Sequence, residues 1–234
     1  LPLTADVRDR PRMTTAVAHT VDRFGRLDVV VANAGVAPPP ATLRTIDEDD
    51  FDRVIAINLT GVFNTVPPAL EQVIQHHGHV VVVSSAAAFT PGAAASPYMI
   101  SKAAVEQLGR ALRIELAAVG ATAGVAYFGI VETSMTHDTV DQNDLASDAL
   151  AMLPWPLNQR ITAAQAAKSI ADGITARAAS TIAPTTWKPY SLLRGVANVI
   201  IDHRMARDDD IHALVRKVEA QATSTDHATT SEDR

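Results

Sequence analysis

The chain has 234 residues, 47% of them hydrophobic and 20% charged, with a net charge of −6 and no cysteine. This profile fits a folded, soluble domain of ordinary size, and it excludes disulfide frameworks, thiolate metal sites and cysteine nucleophiles. The acidic balance without a basic cluster excludes nucleic acid as a partner, and no apolar run reaches the ~18 residues of a membrane span.

Residues 1–7 have the character of a strand end, with neither the basic start nor the apolar run of a signal peptide. With the absence of cysteine, this gives the cytoplasm as the expected location. Residues 11–24 place Met13, Val17, Val21 and Phe24 at helical spacing and stop at Gly25. Residues 27–32 are a continuous apolar run suited to a buried parallel strand; Asn33-Ala34-Gly35 and a Pro-rich loop follow. The spacing predicts a helix with an acidic first turn over 47–59, and a second over 62–75 interrupted at Pro67-Pro68. Residues 79–84 are the next β-branched strand. A long helix over 97–119 starts from Ser96 as N-cap and Pro97 as first helical residue. A strand over 122–128, a polar loop, a helix over 163–177 and a short strand over 180–184 follow.

This alternation predicts an α/β fold, a parallel sheet covered by helices on both faces. Beyond it, the apolar segment 190–201 is too short to span a bilayer. The amphipathic helix over 208–222 carries Ile211, Leu214, Val215 and Val218 on one face and is expected to pack on the domain or on another subunit. The organisation is therefore one domain over 1–184, a helical extension over 185–222 and a polar, disordered tail over 223–234.

Tyr98-Met-Ile-Ser-Lys102 places a phenol and an ammonium at i and i+4, on one helix face. A neighbouring cation lowers the pKa of a phenol from its usual ~10, so the pair can exchange a proton near neutral pH. Taken alone, the pair stands level with a surface Tyr near a surface Lys. Asn33, Ser85 and Gly129 each follow a strand, and ligands of open parallel sheets bind outside the carboxyl ends of the strands. Singly, Ser85 reads as a turn cap, Asn58 as a helix cap and Asn33-Ala34-Gly35 as a tight turn; the joint spacing is the signal. His76, His77 and His79 read as a solvated loop, because no carboxylate lies at ligand spacing. Asp208 to Asp210 read as a helix start.

Asp6-Val7, Asn33-Ala34-Gly35, Asn58 in Asn-Leu-Thr-Gly-Val-Phe, Ser84-Ser85, Tyr98-x-x-x-Lys102 and Gly129-Ile-Val-Glu-Thr133 occur in the order and at the intervals of the short-chain dehydrogenases/reductases. The chain resembles that family from residue 1 to about 184. The resemblance implies a Rossmann-like doubly wound sheet and an oxidoreductase using NAD or NADP, which interconverts an alcohol and a ketone or aldehyde by hydride transfer. It implies Tyr98 as general acid and base, and Ser85 as the group polarising the carbonyl oxygen. Lys102 would hold the nicotinamide ribose and lower the Tyr98 pKa, and Asn58 would hold a water linking Lys102 to solvent. Asp6 and Val7 would meet adenine, and Asn33, Ala34 and Gly35 the adenosine. Gly129, the Val131 backbone and the Thr133 hydroxyl would lie at the nicotinamide amide. The partner implied is a small alcohol or carbonyl compound. The apolar segment 152–157 would either cover an apolar substrate or pack on the core. A homodimer or homotetramer would form through the helices around 61–77 and 97–119.

Two departures stand out. Phe128 occupies the place of the family's usual Pro, which is expected to shift the nicotinamide-side loop. The family's opening strand, Gly-rich turn, first helix and second strand do not occur, which amounts to roughly 50 to 60 residues. The strand over 27–32 is then expected to be an exposed apolar edge, and the pyrophosphate to lack its cradle. The residues that choose between NAD and NADP fall in the same stretch. The expectation is a sequence cut short at its start; the alternative is a genuine short form, a catalytically silent relative serving as a binding or assembly partner.

Overall fold

The structure, a computed structural model, describes residues 1–232, with side chains described for 1–222. The disordered tail expected over 223–234 lies outside the residues described in full. The strands are β1 (Val29–Ala32), β2 (His79–Val83), β3 (Thr122–Phe128), β4 (Ile130–Glu132), β5 (Arg160–Thr162) and β6 (Ser180–Ala183). The helices are α1 (Arg10–Phe24), α2 (Glu48–Ile55), α3 (Gly61–Thr65), α4 (Pro67–Gln75), α5 (Ser96–Ala117), α6 (Ser134–Thr136), α7 (Asp144–Ala151), α8 (Ala163–Thr175), α9 (Lys188–Met205) and α10 (Asp209–Glu232).

Four strands form a parallel sheet in the order β1-β2-β3-β6. Val80 of β2 pairs with Val30 on one side and Ala123 on the other. β2 is buried along its whole length, and its alternation serves two cores. Val80 and Val82 join the larger one with Val105, Leu112 and Leu116 of α5. Val81 and Val83 join a smaller one lined by Ile170 and Ile174 of α8. Helices therefore cover both faces, which is the doubly wound arrangement expected. A Cβ at Gly109 would lie 2.5 Å from Val82 and 2.6 Å from Val125, so the glycine lets α5 approach the sheet closely.

Several expectations need correction. Residues 1–6 form no strand; an extended segment without a neighbour has no ladder to satisfy its backbone groups. β1 is the sheet edge, as expected, and Val31 is 38% exposed on it. The first turn of α5 has Ala95 as its cap, with no side-chain cap bond, and Ser96 lies inside the helix. Asp47 does cap α2, accepting from the Asp49 and Asp50 amides. A π-helical turn, Ala56–Thr60, joins α2 to α3, and the break before Pro67 separates α3 from α4. Between β4 and β5, α6, a π-helical turn (His137–Asp141) and α7 occupy the stretch expected as loop. His79 belongs to β2 rather than to the loop; it is 2% exposed, with Nδ1 2.8 Å from the Thr122 hydroxyl. Asp208 accepts from the Asp210 and Ile211 amides and so starts α10. Leu153 and Leu157 pack against the larger core, while Trp155 between them is 78% exposed. Among the described residues no helix is long and apolar enough to cross a membrane.

Candidate active site

The carboxyl end of β2 carries Ser84 and Ser85. The Ser84 hydroxyl donates to the Lys102 backbone carbonyl at 2.7 Å and so ties the strand to α5. Ser85 is extended and caps the 3-10 turn Ala86–Phe89, accepting from the Ala87 amide at 3.1 Å. Its hydroxyl donates to the Phe128 carbonyl at 3.2 Å, at the end of β3. Phe128 itself is buried in the smaller core.

On α5, the Lys102 side chain is 4% exposed, and its ammonium donates to the Val83 carbonyl at 3.0 Å. Burial pulls its pKa down to about 8. Tyr98 lies one turn earlier and partly buried, with Lys102 Nζ 5.6 Å from its ring centre. Burial pushes the phenol above its usual pKa, and the Ser85 hydroxyl beside it pulls the other way. The net direction is upward, which corrects the expectation that the Lys102 charge would lower it.

Asn58 is fully buried in the π-helical turn, a local irregularity that often marks functional sites. Its amide donates to the Val36 carbonyl at 2.9 Å and to Ser101 Oγ at 3.0 Å, and its Oδ1 accepts from the Val36 amide at 2.7 Å. Ser101 Oγ in turn donates to the Tyr98 carbonyl at 2.8 Å. Asn58 thus fastens the loop after β1 to α5. Within that loop Asn33 and Ala34 are exposed, while Gly35 faces the site. A Cβ on Gly35 would lie 3.2 Å from Lys102 Nζ and 3.4 Å from Asn58 Oδ1. The absence of a side chain lets the loop after β1 close down on the ammonium and on Asn58.

Gly129, Val131 and Thr133 follow β3 in order. A Cβ on Gly129 would lie 2.7 Å from Trp187 Nε1, so this position has no room for a side chain. The Val131 carbonyl accepts from the Thr136 hydroxyl at 2.6 Å, and the exposed Thr133 caps α6. At the other end of the site, Asp6 is bound by Arg8 through Nη2 at 2.7 Å, which holds its carboxyl down at about 2. Val7 packs on Gly61, and its carbonyl accepts from the buried Asn64 amide at 2.8 Å. The structure therefore brings Gly35, Asn58, Ser85, Tyr98 and Lys102 together, with Phe128 joining Ser85 to the Gly129 loop. Asp6 and Val7 attach separately, through α3. Sequence reasoning passed over Ser101 and Asn64. Ser101 sits inside the Tyr98–Lys102 motif, and Asn64 lies six residues after Asn58. Among the described residues no group of three His, Cys, Asp or Glu side chains is placed to hold a metal ion.

The short chain dehydrogenase family profile matches residues 1–144. The chain is 33% identical over 173 residues to 2-(R)-hydroxypropyl-CoM dehydrogenase of Xanthobacter autotrophicus, covering 73% of this chain and 68% of that protein. It is 35% identical over 140 residues to the (2S)-[(R)-hydroxy(phenyl)methyl]succinyl-CoA dehydrogenase subunit BbsD of Thauera aromatica, covering 59% of this chain and 56% of that one. A short chain dehydrogenase from Mycobacterium paratuberculosis, crystallised bound to NAD, superposes with a TM-score of 0.65 at 29% identity, over 77% of this chain and 70% of that one. The chain thus spans 56% to 68% of the length of these curated relatives. It belongs to the short chain dehydrogenase family.

Proposed function

We propose that this chain carries the proton-transfer and nicotinamide-side half of an NAD- or NADP-dependent oxidoreductase site that interconverts an alcohol and a ketone or aldehyde. The observation that carries this reading is the convergence of Tyr98, Lys102 and Ser85 at the carboxyl end of β2, where Gly35 packs closely on the ammonium. The related dehydrogenase bound to NAD supports the choice of ligand class. When bound, the nicotinamide supplies or accepts the hydride.

This chain's own residues handle the proton. Burial keeps Tyr98 protonated through neutral pH, so its Oη is the acid that protonates the carbonyl oxygen during reduction, and the base in reverse. The Ser85 hydroxyl turns from the Phe128 carbonyl to donate a second hydrogen bond to that oxygen. Lys102 holds the ribose hydroxyls, and its charge stabilises the phenolate left after proton transfer. Asn58 keeps the loop of Gly35 and the helix of Lys102 in register and is the residue this reading assigns to a relay water. Gly129, Val131 and Thr133 line the nicotinamide amide, and Asp6, Val7, Asn33 and Ala34 the adenosine. The assembly in this reading is a homodimer or homotetramer. The test is titration with NADH and NADPH by nicotinamide fluorescence, followed by turnover on a panel of small alcohols and ketones. Binding with turnover supports the reading; neither binding nor turnover would leave the non-enzymatic partner role.

A further inference from the structure

Helix α9 packs on the domain through polar groups and turns its apolar residues outward. The Arg194 guanidinium pairs with the buried Glu106 of α5 and lies 4.7 Å from the centre of the Phe89 ring. Asn198 donates to the Phe89 carbonyl at 2.9 Å and accepts from the Tyr190 hydroxyl at 2.8 Å. On the opposite side Leu192, Leu193, Val196, Val199 and Ile200 are 83%, 65%, 73%, 71% and 52% exposed. A single exposed Leu needs no explanation, but five on one helix face do.

At about 100° per residue the five form one stripe. Val196 lies on the midline, Leu192 and Val199 on one edge, Leu193 and Ile200 on the other. Their spacing reads the same in both directions from Val196. An antiparallel copy related by a two-fold axis sets Leu192 against the partner's Val199, Leu193 against the partner's Ile200, and Val196 against its own counterpart. Charge follows the same symmetry. Lys188 and Asp202 flank the Leu192–Val199 edge at opposite ends of the helix, and both are exposed. Antiparallel pairing brings each Lys188 beside the partner's Asp202, whereas parallel pairing would set like charges together.

We propose that α9 is a self-association surface, pairing antiparallel with α9 of a second copy of this chain about a two-fold axis at Val196. The stripe covers a few hundred Å² per copy, below the roughly 800 Å² per partner of a standard interface, so the pair dissociates on dilution.

The chain has no cysteine, so an introduced thiol reports the register. V196C is expected to form a disulfide-linked dimer under mild oxidation at least about tenfold faster than L43C, whose parent side chain is exposed elsewhere on the surface. In sedimentation equilibrium K188E should lower the dimer fraction, and adding D202K should restore it. V196D should show a lower associated fraction than the wild type with an unchanged thermal midpoint. Equal cross-linking of V196C and L43C would overturn the proposal, as would a monomer at high protein concentration. A chain that stays monomeric but binds phosphatidylcholine–phosphatidylglycerol vesicles, and loses that binding in V196D, would assign the stripe to a lipid surface and overturn it equally.

Discussion

Lys102 is braced on Val83: its ammonium donates to that carbonyl at 3.0 Å and acts on the Tyr98 phenol only through space, from 5.6 Å off the ring centre. This places a charge in the interior, and burial lowers its pKa from 10.5 to about 8. Below pH 8 both folded and unfolded chains hold the proton, and the fold carries the whole cost of burying the charge. Between about 8 and 10.5 the folded chain releases the proton that the unfolded chain retains, so this group's contribution to stability rises with pH, by roughly 3 kcal/mol in total. Urea unfolding of the wild type and of Lys102→Met tests this. The stability of the wild type relative to the variant should rise between pH 8 and 10; a pH-independent difference contradicts the account.

In the proposed reaction, the raised pKa of Tyr98 is expected to set the pH dependence. Reduction needs the protonated phenol, so its rate should be level through neutral pH and fall in alkali, while alcohol oxidation should rise with pH. In Ser85→Ala the phenol loses the group that pulls its pKa down, so the alkaline limb should move to higher pH. Turnover should fall about 100-fold with the loss of one donor to the carbonyl oxygen. An unmoved pH profile would separate Ser85 from Tyr98.

Asn58→Ala removes the clamp on the loop after β1. The Val36 amide and carbonyl and Ser101 Oγ all lose a partner, and the site is fully buried. A loss of about 2–3 kcal/mol in urea unfolding is expected, together with weaker NADH binding as Gly35 drifts from Lys102. Unchanged NADH affinity would show that the loop does not border the cofactor.

Gly61→Ala tests how the first residues are held. A Cβ there would lie 2.6 Å from Val7 Cγ2, so Val7 must move off α3. A destabilisation of about 1–2 kcal/mol is expected, with faster amide exchange confined to residues 1–10. Protection equal to the wild type would mean that Asn64 alone anchors the segment.

The fold was largely legible because its strands are unusually uniform. Residues 27–32, 79–84 and 122–128 read as strands and form β1, β2 and β3, adjacent in the sheet. The placing of Tyr98 and Lys102 one turn apart on α5 was legible as well, since i and i+4 share a face wherever a helix forms. Other features depend on what each segment touches. Residues 1–7 have strand character but no neighbour to pair with. The π-helical turn at Asn58 is a shift of backbone hydrogen bonds, with no composition of its own. The pattern of α9 shows an apolar stripe but not its direction; that follows from Glu106 and Phe89, which draw Arg194 and Asn198 inward. The direction of the Tyr98 shift was misread because sequence spacing reports the neighbouring charge but not the burial.

The most direct test of the central claim is a comparison of wild type and Tyr98→Phe on a ketone that the wild type reduces, with NADH or NADPH affinity and thermal midpoint measured on the same samples. The account predicts turnover lower by about 100- to 10,000-fold, with cofactor affinity and midpoint unchanged. Turnover equal to the wild type would contradict it, because the proton would then come from a group other than Tyr98.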